Sequence, residues 1–300
     1  MYIFRVVPLL AIVVAACLML GMAACSGSTS DDAPELKVGG IPDQDTARLA
    51  RRYESFATYL SGQLGVEVEF VPSVDYAAVV TAFSQEQLQL AFFGGLTGVQ
   101  ARLQKPGAAA IAQREHDAAF HSKFIARADL DLSSLDDVKA QAGDLSITFG
   151  SPNSTSGHLM PRYYLKQAGI DAATDFRQEP NFSGSHDTTW QLVESGAFDL
   201  GTLNEDVWDR AVREGTVDTG KVQEFYITPA YYDYNWTVQG NVDEIYGAGF
   251  TDKIRQALLD LNPQEHGEIL DLFSTQKFIA TSNDNYQAIE DVARELEIIK

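Results

Sequence analysis

The chain has 300 residues, 45% of them hydrophobic, so it is long enough to bury the core of one large or two medium domains. Its 42 acidic and 22 basic residues give a formal net charge of -20, which argues against nucleic-acid binding because phosphate contacts need basic patches. Both cysteines, Cys17 and Cys25, lie near the N-terminus, so the body of the chain offers no disulfide, thiolate nucleophile or cysteine-ligated metal site.

The N-terminal segment is typical of a secretory signal. Arg5 precedes an apolar run over residues 6–22, which ends in two alanines and Cys25 before a polar stretch rich in serine and aspartate. An uncleaved membrane anchor is the alternative, for which the run is at the short end of what a bilayer requires. Either interpretation places the body of the protein outside the cytoplasm.

Small residues before a cysteine, with a polar tether after it, resemble a bacterial lipoprotein signal. We therefore predict a signal peptide over residues 1–24, lipidation at Cys25 and a flexible lipidated tether over residues 25–35. Lipidation at Cys17 is the alternative, but it would leave apolar residues in the tether. The predicted lipid anchors the protein to the bacterial cell membrane.

Strand-like and helix-like segments alternate after the tether, which predicts an α/β fold with mostly parallel sheets. Predicted strands are short apolar runs, and predicted helices carry apolar residues at helical spacing. In chain order the strands are expected over residues 36–41, 66–71, 88–93, 109–113, 123–127, 146–149, 198–204 and 222–227. The helices are expected from residue 46 to the glycines at 62 and 65, and over residues 75–83, 96–103, 135–140, 159–166, 188–195, 205–213, 251–261 and 286–297.

The most informative motif follows the predicted strand over residues 146–149. Ser154, Thr155 and Ser156 lie between that strand and the helical pattern that begins at Leu159. The first N–H groups of a helix lack carbonyl partners, and the helix dipole adds roughly half a positive charge there. The three hydroxyl groups can donate as well. We therefore predict an anion-binding turn, the alternative being that one serine only caps its own helix.

Further motifs, together with this turn, resemble the solute-binding proteins of ABC transporters for phosphate, phosphite and phosphonates, and most of all the branch usually labelled selenate-binding. The resemblance covers nearly the whole chain after the tether. The serine-rich turn and the Gly-Ser-His-Asp segment are specific together and weak singly. The motifs lie in residues 41–46, 53–56, 74–80, 92–97, 151–157, 184–187 and 203–206.

The resemblance implies a type II periplasmic binding protein fold, with two lobes of mixed, mostly parallel sheets joined by two crossover strands. Lobe one would comprise residues 36–126 and 232–300, and lobe two residues 127–231. A small tetrahedral oxyanion (selenate, phosphite, phosphate or a phosphonate) would bind in the cleft between the lobes, without reacting, for delivery to a permease and its ATPase. We expect a monomer that uses no cofactor.

Family pocket positions, carried over by motif, are Tyr76, the turn Gly95-Leu96-Thr97, the three hydroxyl residues and His186. We add Asp45, His158 and Asn204, which lie within or beside the same motifs. The chain departs from relatives that have a tyrosine near Thr97, and it carries His158 after the glycine of the turn. Both differences bear on which anion is bound.

Asp45 and Asp187 would be diagnostic of the ligand if either faced it. A carboxylate can accept a hydrogen bond only from a protonated oxyanion or an ammonium group, and it repels a fully ionised dianion. A ligand-facing aspartate would therefore favour phosphite or an aminophosphonate over selenate. The alternative is that each residue caps the helix that follows it.

An enzyme and a ligand-sensing receptor are the other classes of function open to such a chain. An enzyme is disfavoured, because the chain lacks a Gly-x-Ser-x-Gly elbow, a His-Glu-x-x-His motif and a phosphate-binding Gly-Lys-Ser/Thr loop. A metal site is disfavoured as well, since His116 and His121 are five positions apart rather than the four that align ligands on a helix face. A tethered ligand-sensing receptor module that uses the same pocket remains the alternative function.

Overall fold

The computed structural model describes residues 34–300, which form one compact unit from Pro34 to Lys300. The predicted signal peptide, the lipidation site Cys25 and most of the tether lie outside the described residues. Between Pro34 and Lys300, no helix has both the length and the apolar character needed to cross a membrane.

Eleven strands are present in the described residues. In chain order they are β1 (Leu36–Gly40), β2 (Val68–Phe70), β3 (Leu90–Phe93), β4 (Ala109–Arg114), β5 (Ser122–Arg127), β6 (Ile147–Phe149), β7 (Asn181–Phe182), β8 (Leu200–Asn204), β9 (Val222–Ile227), β10 (Asn235–Val238) and β11 (Phe278–Ala280). The eight strands predicted from sequence are all found, whereas β7, β10 and β11 were not predicted. Each of these three strands is short, so an alternation of apolar and polar residues has few positions in which to show.

Eleven α-helices of the same region connect the strands. They are α1 (Thr46–Leu64), α2 (Tyr76–Ser84), α3 (Gly95–Gln104), α4 (Leu135–Gln141), α5 (Met160–Gln167), α6 (His186–Glu194), α7 (Glu205–Glu214), α8 (Val242–Tyr246), α9 (Phe250–Leu259), α10 (Pro263–Leu272) and α11 (Gln287–Glu295). The unpredicted α10 begins with Asn262 as its N-cap and proline at the first helical position, a start signal that the sequence analysis overlooked. A π-helical turn, Thr155–Leu159, leads into α5.

The strands form two sheets. The first has six strands in the order β11-β4-β10-β3-β1-β2, and the second has five in the order β7-β6-β8-β5-β9. Both sheets are mixed, as predicted, but the expectation of mostly parallel pairing is wrong: four strand pairs of the described chain are parallel and five are antiparallel. Four of the five antiparallel pairs involve β5 and β10, the first strands after each passage between the sheets, and the fifth joins β11 to β4.

The chain passes between the sheets twice, after β4 and after β9. The expected boundary of lobe one at residue 126 needs correction, because β5 pairs with β8 and β9 of the second sheet. The short apolar run in β5 marks it as a strand but does not identify its partners. The first passage therefore lies in the segment Glu115–Ala119, and the second lies between Ile227 and Asn235.

Hydrophobic clusters pack each sheet against its helices. An aromatic group fills the core of the first sheet, where Phe56 stacks on Trp236 with ring centroids 4.5 Å apart. The second sheet is covered on both faces, because successive residues of β5 point to opposite sides: Phe124 joins one cluster and Ile125 the other. Trp190 and Trp208 are buried in the latter cluster.

Arg114 joins the two sheets beside the first passage. Its guanidinium donates to Asp117 Oδ1 at 2.6 Å and to Asp206 Oδ2, at the start of α7, at 2.5 Å. The guanidinium also lies 4.6 Å from the ring centroid of Tyr234 in the second passage. Burial opposes ionisation of Asp206, but the Arg114 charge prevails and lowers the pKa of Asp206 to about 2. One buried cation thus fixes both passages and a helix of the second sheet.

Replacement of Arg114 by leucine should destabilise the protein, because Asp117 would remain fully buried without its counter-charge. We expect the free energy of unfolding in urea to fall by about 3–5 kcal/mol. The control is Arg294→Leu, which removes a surface pair with Glu290 and should cost less than about 1 kcal/mol. Equal losses in the two variants would contradict the role assigned to Arg114.

Candidate functional site

The candidate site lies where loops from both sheets meet. The loops after β1 and β3 of the first sheet face the loops after β6, β7 and β8 of the second. These strands run parallel to a neighbour, and ligands of open α/β sheets bind beyond the carboxyl ends of such strands. A helix begins in each of these loops, so several helix N-termini point toward one small volume.

The start of α3 provides the central contact between the sheets. Its N-cap residue is Gly94, which offers no side chain to bond the first N–H groups. Those groups turn to other segments instead: Gly95 N donates to Asp233 Oδ1 at 2.8 Å, and Leu96 N donates to Thr155 Oγ1 at 3.0 Å. A Cβ atom at Gly94 would lie 3.1 Å from Thr155 Oγ1, so the glycine permits this close approach.

The predicted anion-binding turn is buried at this contact. Ser154, Thr155 and Ser156 are each at most 2% exposed. Ser154 Oγ accepts from Gly157 N at 2.9 Å, which leaves its hydroxyl proton free to donate. The alternative interpretation of a capping serine is therefore correct for Ser154, and it is compatible with ligand binding. Thr155 likewise accepts from α3 and keeps a proton to donate.

Gly157 completes the turn at a position where a side chain would crowd its neighbours. A Cβ atom would lie 3.0 Å from His186 Cε1 and 3.1 Å from the Cα of Gly150. The carbonyl of Gly157 accepts from Gly150 N and from Thr202 Oγ1, both at 2.8 Å. The turn is thus held by the strand end before it and by β8.

His186 lies in the first turn of α6, where the sequence analysis expected a loop. The helix begins two residues earlier than predicted because Ser185 caps it, with Ser185 Oγ accepting from Thr188 N. His186 is fully buried, and burial lowers its pKa to about 4. Because Nδ1 accepts from Asn204 N at 3.3 Å, the neutral ring carries its proton on Nε2. That N–H is an uncharged donor 3.5 Å from the Tyr234 hydroxyl.

Three buried polar groups at the site lack a hydrogen-bond partner within residues 34–300. They are the Tyr76 hydroxyl, Asp43 Oδ1 and Asp233 Oδ2. Asp43 is neutralised by Arg52, whose Nη1 lies 3.5 Å away, and both residues are 1% exposed. Since buried polar groups are nearly always paired, these atoms identify a place for a ligand that both accepts and donates hydrogen bonds.

Asp233 has the most perturbed carboxyl group of the site. Burial, with help from the nearby Asp117 charge, raises the pKa of Asp233 to about 7, although the Gly95 N–H group and Thr155 favour its ionised form. Asp233 N donates to the carbonyl of Asp117 at 3.0 Å, so the Arg114 cluster also fixes this residue. Near neutral pH the carboxyl group can therefore either accept or donate a proton.

The structure brings most of the predicted site residues together, namely Tyr76, Gly95, Leu96, Thr97, Ser154, Thr155, Ser156 and His186, and all of them are buried. The hydroxyl of Thr97 donates to the Gly94 carbonyl, so it supports the start of α3.

Four other candidates, Asp45, Asn204, His158 and Asp187, use their side chains in helix capping, packing or ion pairing. Asp45 is exposed and caps α1 by accepting from Arg48 N, and Asn204 caps α7 by accepting from Val207 N. His158 packs between Phe149 and Phe182.

His158 Nδ1 bonds the carbonyl of Pro152 at 2.8 Å. Asp187 bonds Arg210 and the backbone of Asp45. We therefore remove Asp45, His158 and Asn204 from the proposed ligand contacts. Helix capping engages side-chain oxygens of Asp45 and Asn204, and His158 bonds a backbone carbonyl, which argues against direct ligand contacts by these three residues.

Sequence analysis missed Asp43, Asp233 and Tyr234. Asp233 and Tyr234 follow the Tyr231-Tyr232 pair in the second passage between the sheets, and Asp43 lies inside a motif from which only Asp45 was chosen. An acidic residue flanked by aromatic residues was the available signal for Asp233. No cluster of three or more histidine, cysteine, aspartate or glutamate residues suited to a metal ion occurs between residues 34 and 300.

The chain is similar to known proteins both in sequence and in structure. A family model described as the periplasmic phosphonate substrate-binding protein of ABC transporters matches residues 38–286. The chain is 44% identical over 269 residues to a probable phosphite-binding protein of an ABC transporter, PhnD1 of Prochlorococcus marinus, covering 88% of this chain and 91% of the relative. It is 30% identical over 226 residues to the phosphate-import protein PhnD of Mycolicibacterium smegmatis, covering 70% of each chain.

The structure of the Prochlorococcus protein in complex with methylphosphonate superposes with a TM-score of 0.85, over 88% of this chain and 99% of that one. A phosphonate-transporter binding protein of Pseudomonas aeruginosa superposes with a TM-score of 0.77 at 22% identity, covering 87% of this chain and 86% of that one. These similarities confirm the type II periplasmic binding protein fold.

The raised pKa of Asp233 should make stability depend on pH. The unfolded carboxyl group titrates near 4, so between about pH 4 and pH 7 the native state holds a proton that the unfolded state has lost. Unfolding therefore becomes easier as the pH rises through this range, by up to about 4 kcal/mol for this group. We expect Asp233→Asn to raise the melting temperature of the ligand-free protein at about pH 8 and to change it little at about pH 5.

Asp252→Asn is the matched control, since the Asp252 side chain is 78% exposed. It should leave the melting temperature nearly unchanged at both pH values. A shift of Asp233→Asn that is the same at both would contradict a carboxyl group that titrates near neutrality.

Proposed function

The chain belongs to the phosphonate-binding family of periplasmic substrate-binding proteins of ABC transporters, and from this premise we propose that it captures phosphite or a small phosphonate between its two sheets. It is a binding component of an importer and not an enzyme, and it acts outside the cytoplasm. The importer role is favoured over the alternative role of a tethered ligand-sensing receptor module. Its partners are then a permease and the ATPase of that permease.

The observation that carries this proposal is the set of donors and unpartnered atoms at the site. Ser154, Thr155, His186 and Tyr76 offer uncharged side-chain donors. Each hydrogen bond to a charged ligand is worth roughly 1.5–3 kcal/mol net, so several together can give micromolar affinity or better, which corresponds to about 8 kcal/mol. A compact oxyanion with tetrahedral geometry matches donors that converge from several directions.

Asp233 Oδ2 supports a ligand that can share a proton. Phosphite and phosphonates have oxygens basic enough to hold a proton near neutral pH, and the raised pKa of Asp233 matches them. Selenate and sulfate are much weaker bases and would form a poorer hydrogen bond with this carboxyl group. This proton argument ranks phosphite, methylphosphonate and phosphate above selenate, which the sequence resemblance had suggested. The similarity to a probable phosphite-binding protein, whose structure holds methylphosphonate, leads us to place phosphite and methylphosphonate above phosphate.

Three finer features belong to the same proposal. Lipidation at Cys25 would anchor the protein to the membrane, so that the ligand-binding part stays close to its permease. We propose that the protein acts as a monomer. Its two lobes are best divided by sheet membership, with Arg114 and Asn235 at the inner ends of lobe one.

Removal of two hydroxyl groups should weaken ligand binding. We expect Ser154→Ala combined with Thr155→Ala to reduce the affinity for methylphosphonate by roughly 2 kcal/mol or more, measured by isothermal titration calorimetry, because two donors to the anion are lost. Loss of the Ser154 cap also costs about 1 kcal/mol of stability, so the melting temperature is measured in parallel.

The control combines Thr58→Ala with Ser84→Ala, two helix hydroxyls that donate to backbone carbonyls on the surface. It should bind methylphosphonate as tightly as the unaltered protein. Unchanged affinity in the Ser154 and Thr155 variant would place the ligand elsewhere.

Affinity should depend on pH through Asp233. Above about pH 7 both the carboxyl group and the ligand lose their protons, so a complex that shares one proton must take it from solution. We expect the affinity for methylphosphonate to fall by up to about tenfold per pH unit in this range. Asp233→Asn should remove this fall, because an amide donates its own hydrogen to the dianion.

Calorimetry of both proteins with methylphosphonate, phosphite, phosphate, selenate and sulfate tests this assignment. Parallel pH profiles for the two proteins would show that Asp233 does not share the proton. Tighter binding of selenate than of phosphite would refute the ranking of ligands.

A further inference from the structure

A second group of contacts between the sheets lies beside the ligand site and is made by residues that do not line it. Arg210 of α7 donates through Nη1 to Gln44 Oε1 at 2.6 Å and through Nη2 to Asp187 Oδ1 at 3.3 Å. Asp187 in turn accepts from the backbone N–H of Asp45 at 2.9 Å. We call Arg210, Asp187, Gln44 and Asp45 the clasp. It links α6 and α7 of the second sheet to the loop after β1 in the first.

The clasp adjoins the site through its immediate neighbours. His186 precedes Asp187, and the backbone N–H of His186 donates to the carbonyl of Asp43 at 3.0 Å. Gln44 Nε2 lies 3.3 Å from Asp43 Oδ2. Asp43 of the first sheet and His186 of the second are therefore joined by a hydrogen bond, and clasp residues are their immediate neighbours in sequence.

The environment of Arg210 suits a contact between the sheets rather than contact with solvent. It is 6% exposed, and its planar guanidinium uses separate nitrogens for the amide of one sheet and the carboxylate of the other. Asp187 also uses both oxygens, one toward Arg210 and one toward Asp45. The contacts are coupled, because loss of Arg210 would leave a partly buried carboxylate bound only to a backbone amide.

These contacts require the two sheets to be close. Gln44 and Arg210 are 166 positions apart in sequence, and Asp45 and Asp187 are 142 apart, so each pair depends on how the sheets are placed. Movement of one sheet about the two connecting passages would separate both pairs together. The same movement would part Leu96 N from Thr155 Oγ1, which is how the clasp and the site are linked.

We propose that Arg210 is a positioning residue for ligand retention: through the clasp it holds the two walls of the site together and so slows the release of the ligand. The inference rests on the proposed function, since it assumes that an oxyanion occupies the site. A ligand leaves only after the walls part, so a weaker clasp speeds dissociation. Association begins with separated walls, where the clasp contacts are not yet formed, and is left nearly unchanged.

The test compares Arg210→Ala and Arg210→Lys with Arg213→Ala. Arg213 lies on the same helix, its side chain is 69% exposed, and its ion pair is with the neighbouring Glu214, so it is a matched control for charge near the site. Stopped-flow tryptophan fluorescence with methylphosphonate measures both rate constants. We expect dissociation to become at least about tenfold faster in Arg210→Ala, equivalent to about 1.4 kcal/mol, with association within about twofold of the unaltered protein.

Arg210→Lys keeps the charge but cannot reach both partners with a planar fork, so it should dissociate almost as fast as the alanine variant. An effect confined to association would mean that Arg210 attracts the anion by its charge, which overturns the proposal. Dissociation equal to that of Arg213→Ala overturns it as well.

Amide hydrogen exchange in the ligand-free protein separates this inference from the ligand assignment. The amides of Asp45 and His186 donate across the sheets, so they should exchange several-fold faster in Arg210→Ala than in Arg213→Ala. If no oxyanion binds the unaltered protein, the proposed function fails, and the exchange rates still decide whether Arg210 holds the walls. Equal exchange in the two variants overturns the clasp.

Discussion

The candidate site depends on one contact, in which the uncapped start of α3 meets the serine-rich turn of the other sheet. Gly94 supplies no cap, so the N–H groups of Gly95 and Leu96 bond Asp233 and Thr155 instead. An isolated helix start is a weak and hydrated anion site, whereas helix starts that face one another from two sheets form a shielded volume lined with donors. The fold serves to place these chain segments opposite each other.

This arrangement suits an acidic protein. A formal charge of -20 gives no long-range attraction for an anion, and screening by physiological salt limits such fields to within about 8 Å. Binding must therefore come from dipoles and hydroxyl groups that act at contact distance. The buried carboxylates of Asp43, Asp117 and Asp206 each have a cationic partner, because Arg52 faces Asp43 and Arg114 faces both Asp117 and Asp206. Asp233 differs from these residues, because burial raises the pKa of its carboxyl group to about 7.

Local signals allowed much of the fold and part of the site to be predicted from the sequence. The turn at Ser154 to Ser156 was identified because hydroxyl residues between a strand and a helix cap the helix or donate to an anion at its start. Long-range pairing was not encoded locally: β5 has the pattern of a strand but gives no sign of which sheet it joins. Asp233 was missed for the same reason, since its environment is created by Gly95 and Asp117, which are distant in sequence.

Two aspartates considered as ligand-facing carboxylates, Asp45 and Asp187, take part in a contact between the sheets. Asp45 caps α1, as one of the two interpretations predicted, and its backbone N–H also donates to the Asp187 carboxylate across the sheets. The Asp187 carboxylate repels a bound anion less than a free one would, because one oxygen accepts from Arg210 and the other from the Asp45 backbone amide. Acidic residues beside an oxyanion site are thus tolerated where they hold the sheets together. Affinity for the anion and adhesion between the sheets then arise from different atoms of the same helix starts, and mutation can alter them separately.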